Sequence, residues 1–253
     1  TPFDAWGEPH PVGLSVPQAT KRVLAASLRA GAAYDPNVVL RYGMAYLGAQ
    51  VGEAGVTCPL ACTDGLVRAL QELAESPPAR EALAHILQQT PGSPVHGAQF
   101  VTEVQGGSDA ATNATVAIPE GDGSFRLYGK KWFCSNAAAD LILMTARVAD
   151  GRAGTGGLGL FLVPRVLDDG QVNHFRLRRL KDKLGTRSMA SAEIDFDGAV
   201  AYALGRVEDG FRHVMRYVIN TSRLYNTLGC TGLARRAHLV ADGYARHRMA
   251  FGQ

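Results

Sequence analysis

Cysteine is scarce in this chain, long apolar runs are missing and neither sign of charge dominates. Each shortage removes a class of function. Cys58, Cys62, Cys134 and Cys230 are the only four cysteines in 253 residues, too few and too irregular for the disulfide framework of a small secreted protein. Cys58 and Cys62 stand four apart, yet no second pair or nearby histidine completes a zinc set, and the histidines are scattered. No metal is expected, and reduced thiols in a cytoplasmic protein are the default. No apolar run reaches membrane-spanning length, so no membrane partner is expected. A formal charge of +3, from 26 basic and 23 acidic residues, is too small to imply nucleic-acid binding. The basic clusters at Arg176, Arg178, Arg179, Lys181 and Lys183, and at Arg235 and Arg236, read as solvated faces.

What is present begins with helix signals. Residues 1–14, rich in Pro and Gly, suggest an extended arm. Ser15 and Pro17 open a helix with Val23, Leu24 and Leu28 on one face. Asp35-Pro36 repeats the signal ahead of Leu40, Leu47 and Val51. Asp64 to Leu73 reads as a short helix, and Ser76-Pro77-Pro78 ends it and starts another carrying Leu83, Ile86 and Leu87.

The period then changes from helical to two. Val116 and Ile118 alternate with small or polar neighbours, and Gly121-Asp122-Gly123-Ser124 turns the chain into Phe125 and Leu127. Leu141 to Val148 and Leu158 to Val163 are apolar runs of buried-strand length. Phe175 and Leu177 alternate with arginines, and Ala192, Ile194 and Phe196 alternate with acids. Short strands joined by turns predict a small antiparallel β domain. Past Glu208 helix returns, with a stripe of Phe211, Val214, Met215, Val218 and Ile219. A second stripe of Leu233, Ala237, Val240 and Tyr244 follows a small-residue turn at Gly229-Cys230-Thr231-Gly232.

The segment with most chemical promise is Phe100-Val101-Thr102-Glu103-Val104-Gln105-Gly106-Gly107-Ser108-Asp109. Bare backbone at Gly106-Gly107, flanked by the Thr102 and Ser108 hydroxyls, suits a flat hydrogen-bonding ring laid against main chain. An ordinary Gly-Gly turn satisfies the same spacing. Gly154-Thr155-Gly156-Gly157-Leu158-Gly159 matches G-x-G-x-x-G, but it follows loop-like residues and precedes a strand, so it is read as a turn and not a dinucleotide loop.

With Gly129-Lys130-Lys131-Trp132-Phe133-Cys134-Ser135-Asn136, this segment resembles the flavin-binding region of the acyl-CoA dehydrogenase superfamily. Asp182 to Arg187, Ser222-Arg223-Leu224 and Arg246 to Gly252 match further family stretches in the same order. Glu103 to Asp109, Lys131 to Phe133 and the upstream Ala54 to Pro59 look most like its alkylation-response, AidB-like branch. The resemblance implies an α+β multidomain fold: an N-terminal helical domain over residues 1–98, a middle antiparallel β domain over 99–203, and the first helices of a C-terminal helical bundle over 204–253. Family members continue with further helices, so the chain is expected to be incomplete at its carboxyl end.

Carried over by position, the resemblance implies FAD as cofactor. Gln99, Val101, Thr102, Gly107, Ser108, Phe133, Cys134 and Ser135 would line it, and Arg248 and Phe251 would reach its adenosine-diphosphate end in a neighbouring subunit. That makes the protein a homo-oligomer, a dimer or a dimer of dimers (the family's homotetramer). The implied reaction is α,β-dehydrogenation of an acyl-CoA, with a carboxylate taking the α-proton and hydride passing to flavin N5. Ser222 stands where isovaleryl-type members carry the base, so no catalytic base is identified, and Arg223 is given a site-shaping or substrate-facing role. Glu103 and Asp109 are expected to fix hydrogen bonds of the turn. An ordinary short- or branched-chain dehydrogenase passing electrons to an electron-transferring flavoprotein, and a non-catalytic interaction module, are the alternatives. No nucleic-acid binding is expected of these residues.

Overall fold

The computed structural model describes residues 18–51, 54–88 and 94–252; the expected arm over 1–14 and the Ser15–Pro17 cap lie outside them. Four helices come first: α1 (Gln18–Arg29), α2 (Val38–Val51), α3 (Ala54–Leu73) and α4 (Pro77–Gln88). Seven strands follow: β1 (Gly97–Phe100), β2 (Val116–Pro119), β3 (Phe125–Ser135), β4 (Leu141–Val148), β5 (Leu158–Pro164), β6 (Phe175–Leu180) and β7 (Ser191–Ala203). The chain returns to helix in α5 (Gly210–His213), a π-helical segment at Val214–Ile219, and the long α6 (Asn220–His247). None of the described helices is long and apolar enough to cross a membrane.

The strands close on themselves. β4 pairs with β2, β2 with β3, β3 with β7, β7 with β5, and β5 with β4, giving a ring of five strands. β1 flanks β4 and β6 flanks β7. Most pairings are antiparallel; β1 and β2 each pair with β4 in parallel. Closure removes sheet edges and creates an interior, filled by Ala117, Leu127, Cys134, Ile142, Met144, Phe161, Ile194 and Phe196 among others.

The same strands supply a second core on their outer face. Leu141 and Leu143 of β4 and Leu160 and Leu162 of β5 pack against Leu66 and Leu70 of α3, Ile86 of α4, and Tyr217 and Val218 of the π segment. Ile142, Met144 and Ala146 of β4 face the barrel, while Leu141 and Leu143 face helices. That is why the strand's first four residues, Leu141 to Met144, read as an unbroken apolar run. A third cluster joins α1, α2, α3 and α6 through Leu24, Leu28, Ala45, Leu60 and Tyr225.

Several expectations are corrected. α3 begins at Ala54, ten residues before the expected start, and carries Pro59 inside it. The residues read as a turn at Gly229–Gly232 lie within continuous α6. They are small because α2 crosses there: a Cβ on Gly232 would sit 2.7 Å from the Tyr46 carbonyl oxygen and 3.1 Å from Ala49 Cβ. For the same reason α2 buries Ala45 and Ala49 and turns Leu40, Leu47 and Val51 outward. Leu233, Val240 and Tyr244 of α6 are likewise exposed, as is Val23 of α1. In β2 the buried residue is Ala117, with Ile118 facing out. Helical and two-residue periods were right, but in α2 and β2 the buried residues are the small ones, and where α2 and α6 cross close backbone approach selects them.

The G-x-G-x-x-G stretch forms a short 3-10 turn, Gly154–Gly157, entering β5. The Arg147 guanidinium holds it by donating to the Gly154 and Arg152 carbonyls at 2.9 and 3.3 Å.

Candidate functional site

β1 ends at Phe100 and the chain runs past β3 before turning back. The Trp132 amide donates to the Thr102 carbonyl at 2.9 Å, which fastens the start of the turn to β3. One residue on, the side chain of Glu103 reverses into the protein and is buried. Its Oε1 receives Lys131 Nζ at 2.7 Å and the Thr115 amide at 3.2 Å, while Oε2 receives the Ala114 amide at 2.6 Å. Burial pushes the Glu103 carboxyl up, but the Lys131 ammonium and these donors outweigh it and hold the group below its usual range. Lys131 also donates to the Val101 carbonyl and to Thr145 Oγ1, both at 3.3 Å, and burial holds its ammonium below the ordinary lysine range. Glu103 thus fixes the turn, as expected; its Lys131 partner was not foreseen.

With its base held, the turn presents its tip. Gly106 has φ +123, a left-handed conformation that favours glycine, and bridges back to Glu103. A Cβ on Gly107 would meet Thr102 Oγ1 at 2.8 Å, so glycine there leaves space for the threonine hydroxyl. Gly107, Ser108 and Asp109 are exposed.

β3 supplies the adjoining wall. Phe133 is 51% exposed, packed edge-on to Trp132 with centroids 6.5 Å apart. Lys181, at the end of β6, lies with Nζ 3.1 Å from the Trp132 centroid and 4.8 Å from that of Phe133. The same ammonium reaches Glu193 at 2.6 Å. A cation, two aromatic faces and a carboxylate therefore stack beside the turn. Ser135 lies two residues from Phe133, with Oγ 3.4 Å from Ser191 Oγ. Cys134 between them turns into the barrel core, where burial pushes its thiol up. On the solvent side it offers main chain alone.

Gln99 bridges three elements. Its Nε2 donates to the Cys62 carbonyl of α3 at 3.1 Å, and its Oε1 lies 3.5 Å from Ser222 Oγ of α6. Ser222 and Arg223 stand in the first turn of α6, three and four residues past the π-helical segment, a deformation that recurs at functional sites. Arg223 is exposed and donates to Asn220 Oδ1 at 3.3 Å.

The structure therefore gathers Gln99, Val101, Thr102, Gly107, Phe133 and Ser135 around the joint between β1, the turn and β3. Arg248 and Phe251 lie past the end of α6, exposed, with the Arg248 guanidinium 6.0 Å from the Tyr244 ring centroid. Among the described residues no hydrogen bond ties them to the turn. A buried polar group also escaped sequence reading. Asp64 of α3 lies fully buried with its Oδ2 3.5 Å from Arg41 Nε, beside Tyr225 of α6, and burial pushes its carboxyl up. Its only sequence signal was a carboxylate inside an apolar helical face.

Residues 98–199 match the family described as acyl-CoA dehydrogenase, middle domain. Over 225 residues the chain is 38% identical to the putative acyl-CoA dehydrogenase AidB of Escherichia coli (strain K12), covering 85% of this chain and 40% of that protein. It is 36% identical over 206 residues to acyl-CoA dehydrogenase family member 11 of Caenorhabditis elegans, covering 78% and 33% respectively. The crystal structure of Caenorhabditis elegans ACDH-11 in complex with C11-CoA superposes with a TM-score of 0.88 at 30% identity, covering all of this chain and 45% of that one. The chain spans less than half the length of each of these relatives.

Proposed function

Because this chain belongs to the acyl-CoA dehydrogenase superfamily, we propose that the turn at Thr102–Ser108 and the β3 edge at Phe133–Ser135 form the protein's share of an FAD site. The observation that carries the reading is the double fastening of the turn to β3, by the Trp132 amide and by the Glu103–Lys131 pair. It holds the Thr102 hydroxyl, bare main chain at Gly107 and an exposed aromatic ring together on one surface.

These groups fit an isoalloxazine ring. The Thr102 hydroxyl and the amides of Gly107 and Ser108 suit its polar edge, and Phe133 suits packing against its face. Gln99, Val101 and Ser135 complete the lining, Cys134 through its main chain. Arg248 is apt for a diphosphate, since its planar guanidinium can donate two hydrogen bonds at once. Its exposure beyond α6, with Phe251, agrees with service to a neighbouring protomer of a homo-oligomer.

When bound, the flavin would accept the hydride lost from the β-carbon of an acyl-CoA thioester as the α-proton goes to a base. We do not assign Ser222 as that base: among the described residues its hydroxyl faces Gln99 Oε1, an amide oxygen too weakly basic to draw off its proton. We assign Ser222 and Arg223 to shaping the pocket wall between β1 and α6. An AidB-like role is favoured over an ordinary short- or branched-chain dehydrogenase by the likeness to the Escherichia coli protein; the latter role brings an electron-transferring flavoprotein as partner.

Reconstitution with FAD tests the site, and anaerobic mixing with a panel of acyl-CoA thioesters tests the reaction. Uptake of yellow chromophore, reduced several-fold in Phe133→Ala, is expected. No uptake by an intact oligomer overturns the flavin reading and favours an interaction module. Uptake with no bleaching by any thioester overturns the dehydrogenase reading alone.

A further inference from the structure

Cys58 and Cys62 lie one turn apart on α3 with their sulfurs 3.9 Å apart. Positions i and i+4 of an ideal helix have Cα atoms about 6 Å apart, inside the roughly 4.4–6.8 Å window that a disulfide accepts. Closing the bond requires the sulfurs to approach to about 2.05 Å, which a rigid helix resists. Here the helix has a weak place. Pro59 sits between the cysteines and has no N–H to give the Gly55 carbonyl, so one rung of the helical ladder is missing where the adjustment is needed.

The two thiols are unequal. Cys58 is partly exposed and Cys62 is buried. The hydrogen bond from Cys62 favours the Cys58 thiolate against the cost of burial, with help from the Lys183 charge. That same bond, and burial, push the Cys62 thiol well up. A solvent-reachable thiol inclined to ionise, with a protonated thiol behind it, is the arrangement of an attacking and a resolving cysteine.

We propose that Cys58 and Cys62 are a peroxide-sensitive pair that closes to an intrahelical disulfide. The Cys58 sulfur attacks one oxygen of a hydroperoxide and the O–O bond breaks. Sulfur is oxidised to a sulfenic acid, and the other oxygen leaves, protonated, as water or an alcohol. The Cys62 sulfur then attacks the Cys58 sulfur. The S–S bond forms, the S–O bond breaks, and the departing hydroxide takes the Cys62 proton as water. Two thiols and one hydroperoxide thus give one disulfide, one alcohol or water, and one further water.

The bond would be felt at β1. The Cys62 carbonyl accepts from Gln99 Nε2 at 3.1 Å, and the next residue, Thr63, accepts the Gly97 amide on its Oγ1 at 3.0 Å. Drawing Cys62 toward Cys58 therefore pulls on both tethers that hold β1 to α3. The chemistry does not depend on the flavin reading, and its test uses no cofactor.

Cys230 is exposed and able to react by itself, so the test starts from Cys230→Ser. Treatment with equimolar hydrogen peroxide should lower the mass of the peptide holding residues 58 and 62 by two hydrogens and remove both thiols from alkylation. Cys62→Ser in that background should stop at a sulfenic acid on residue 58, trapped by dimedone. Cys58→Ser should leave Cys62 alkylatable. Hydrogen exchange over Gly97–Phe100 should quicken several-fold in the oxidised form. The pairing is overturned if both thiols stay alkylatable, or if Cys62 is lost as fast in Cys58→Ser. Unchanged exchange over β1 overturns the coupling.

Discussion

Replacing Glu103 with Gln should be among the most damaging single substitutions of a polar residue in this chain. The Lys131 ammonium is fully buried and the Glu103 side chain is only 4% exposed. In Glu103→Gln the ammonium keeps the Val101 carbonyl and Thr145 hydroxyl, both at 3.3 Å, and loses the counter-charge that meets it at 2.7 Å. Leaving one member of a buried pair alone costs about 3–5 kcal/mol. Glutamine retains an acceptor oxygen, which places the expectation at the lower end, about 3 kcal/mol. Urea unfolding monitored by tryptophan fluorescence should show that loss as a lower midpoint with unchanged slope. The double variant Glu103→Leu/Lys131→Met should lie well above either single in stability, because no charge is then buried unpaired. A loss below about 1 kcal/mol for Glu103→Gln, or strictly additive singles, would refute the assignment of this pair as the clasp of the turn.

The same pair predicts a pH dependence. Glu103 has its folded carboxyl held below the unfolded value, so its contribution is present at neutral pH and fades as pH falls through the carboxylate range. Wild-type and Glu103→Gln midpoints should converge under acid; a constant gap would contradict this. Phe133→Ala removes an exposed ring and should cost under about 1 kcal/mol of stability while weakening FAD uptake several-fold in a titration; equal uptake would place the ring outside the site. Gly232→Val drives a side chain against the Tyr46 carbonyl and should cost about 1–3 kcal/mol, read as a lower thermal midpoint. An unchanged midpoint would mean that α2 and α6 part easily.

The motifs that announced the family were legible because they are local: bare glycines, hydroxyls and an aromatic held at fixed spacing. Their mutual placement was not. Thr102 and Trp132 are thirty residues apart in sequence, and nothing in either segment says that the amide of one meets the carbonyl of the other. Glu103 read as a turn residue, correctly, but Lys131 read as part of a strand motif. Only the break in β3's alternation between Lys131 and Cys134, which leaves both of them buried and Phe133 exposed, decided that the two charges meet and that the cysteine is hidden.

Sequence alone determined the order of helix, strand and helix, the extents of β4 and β5, and the kinship with a flavoprotein family. The first two rest on periodicity within a few turns of chain, and the kinship on the resemblance of several short motifs in a fixed order. Tertiary structure decided which face of each element is buried, where the strands close into a ring, and why Gly232 sits inside a helix. Burial is a property of two surfaces together. The small face of α2 is inside because α6 lies against it, and no reading of α2 by itself contains α6.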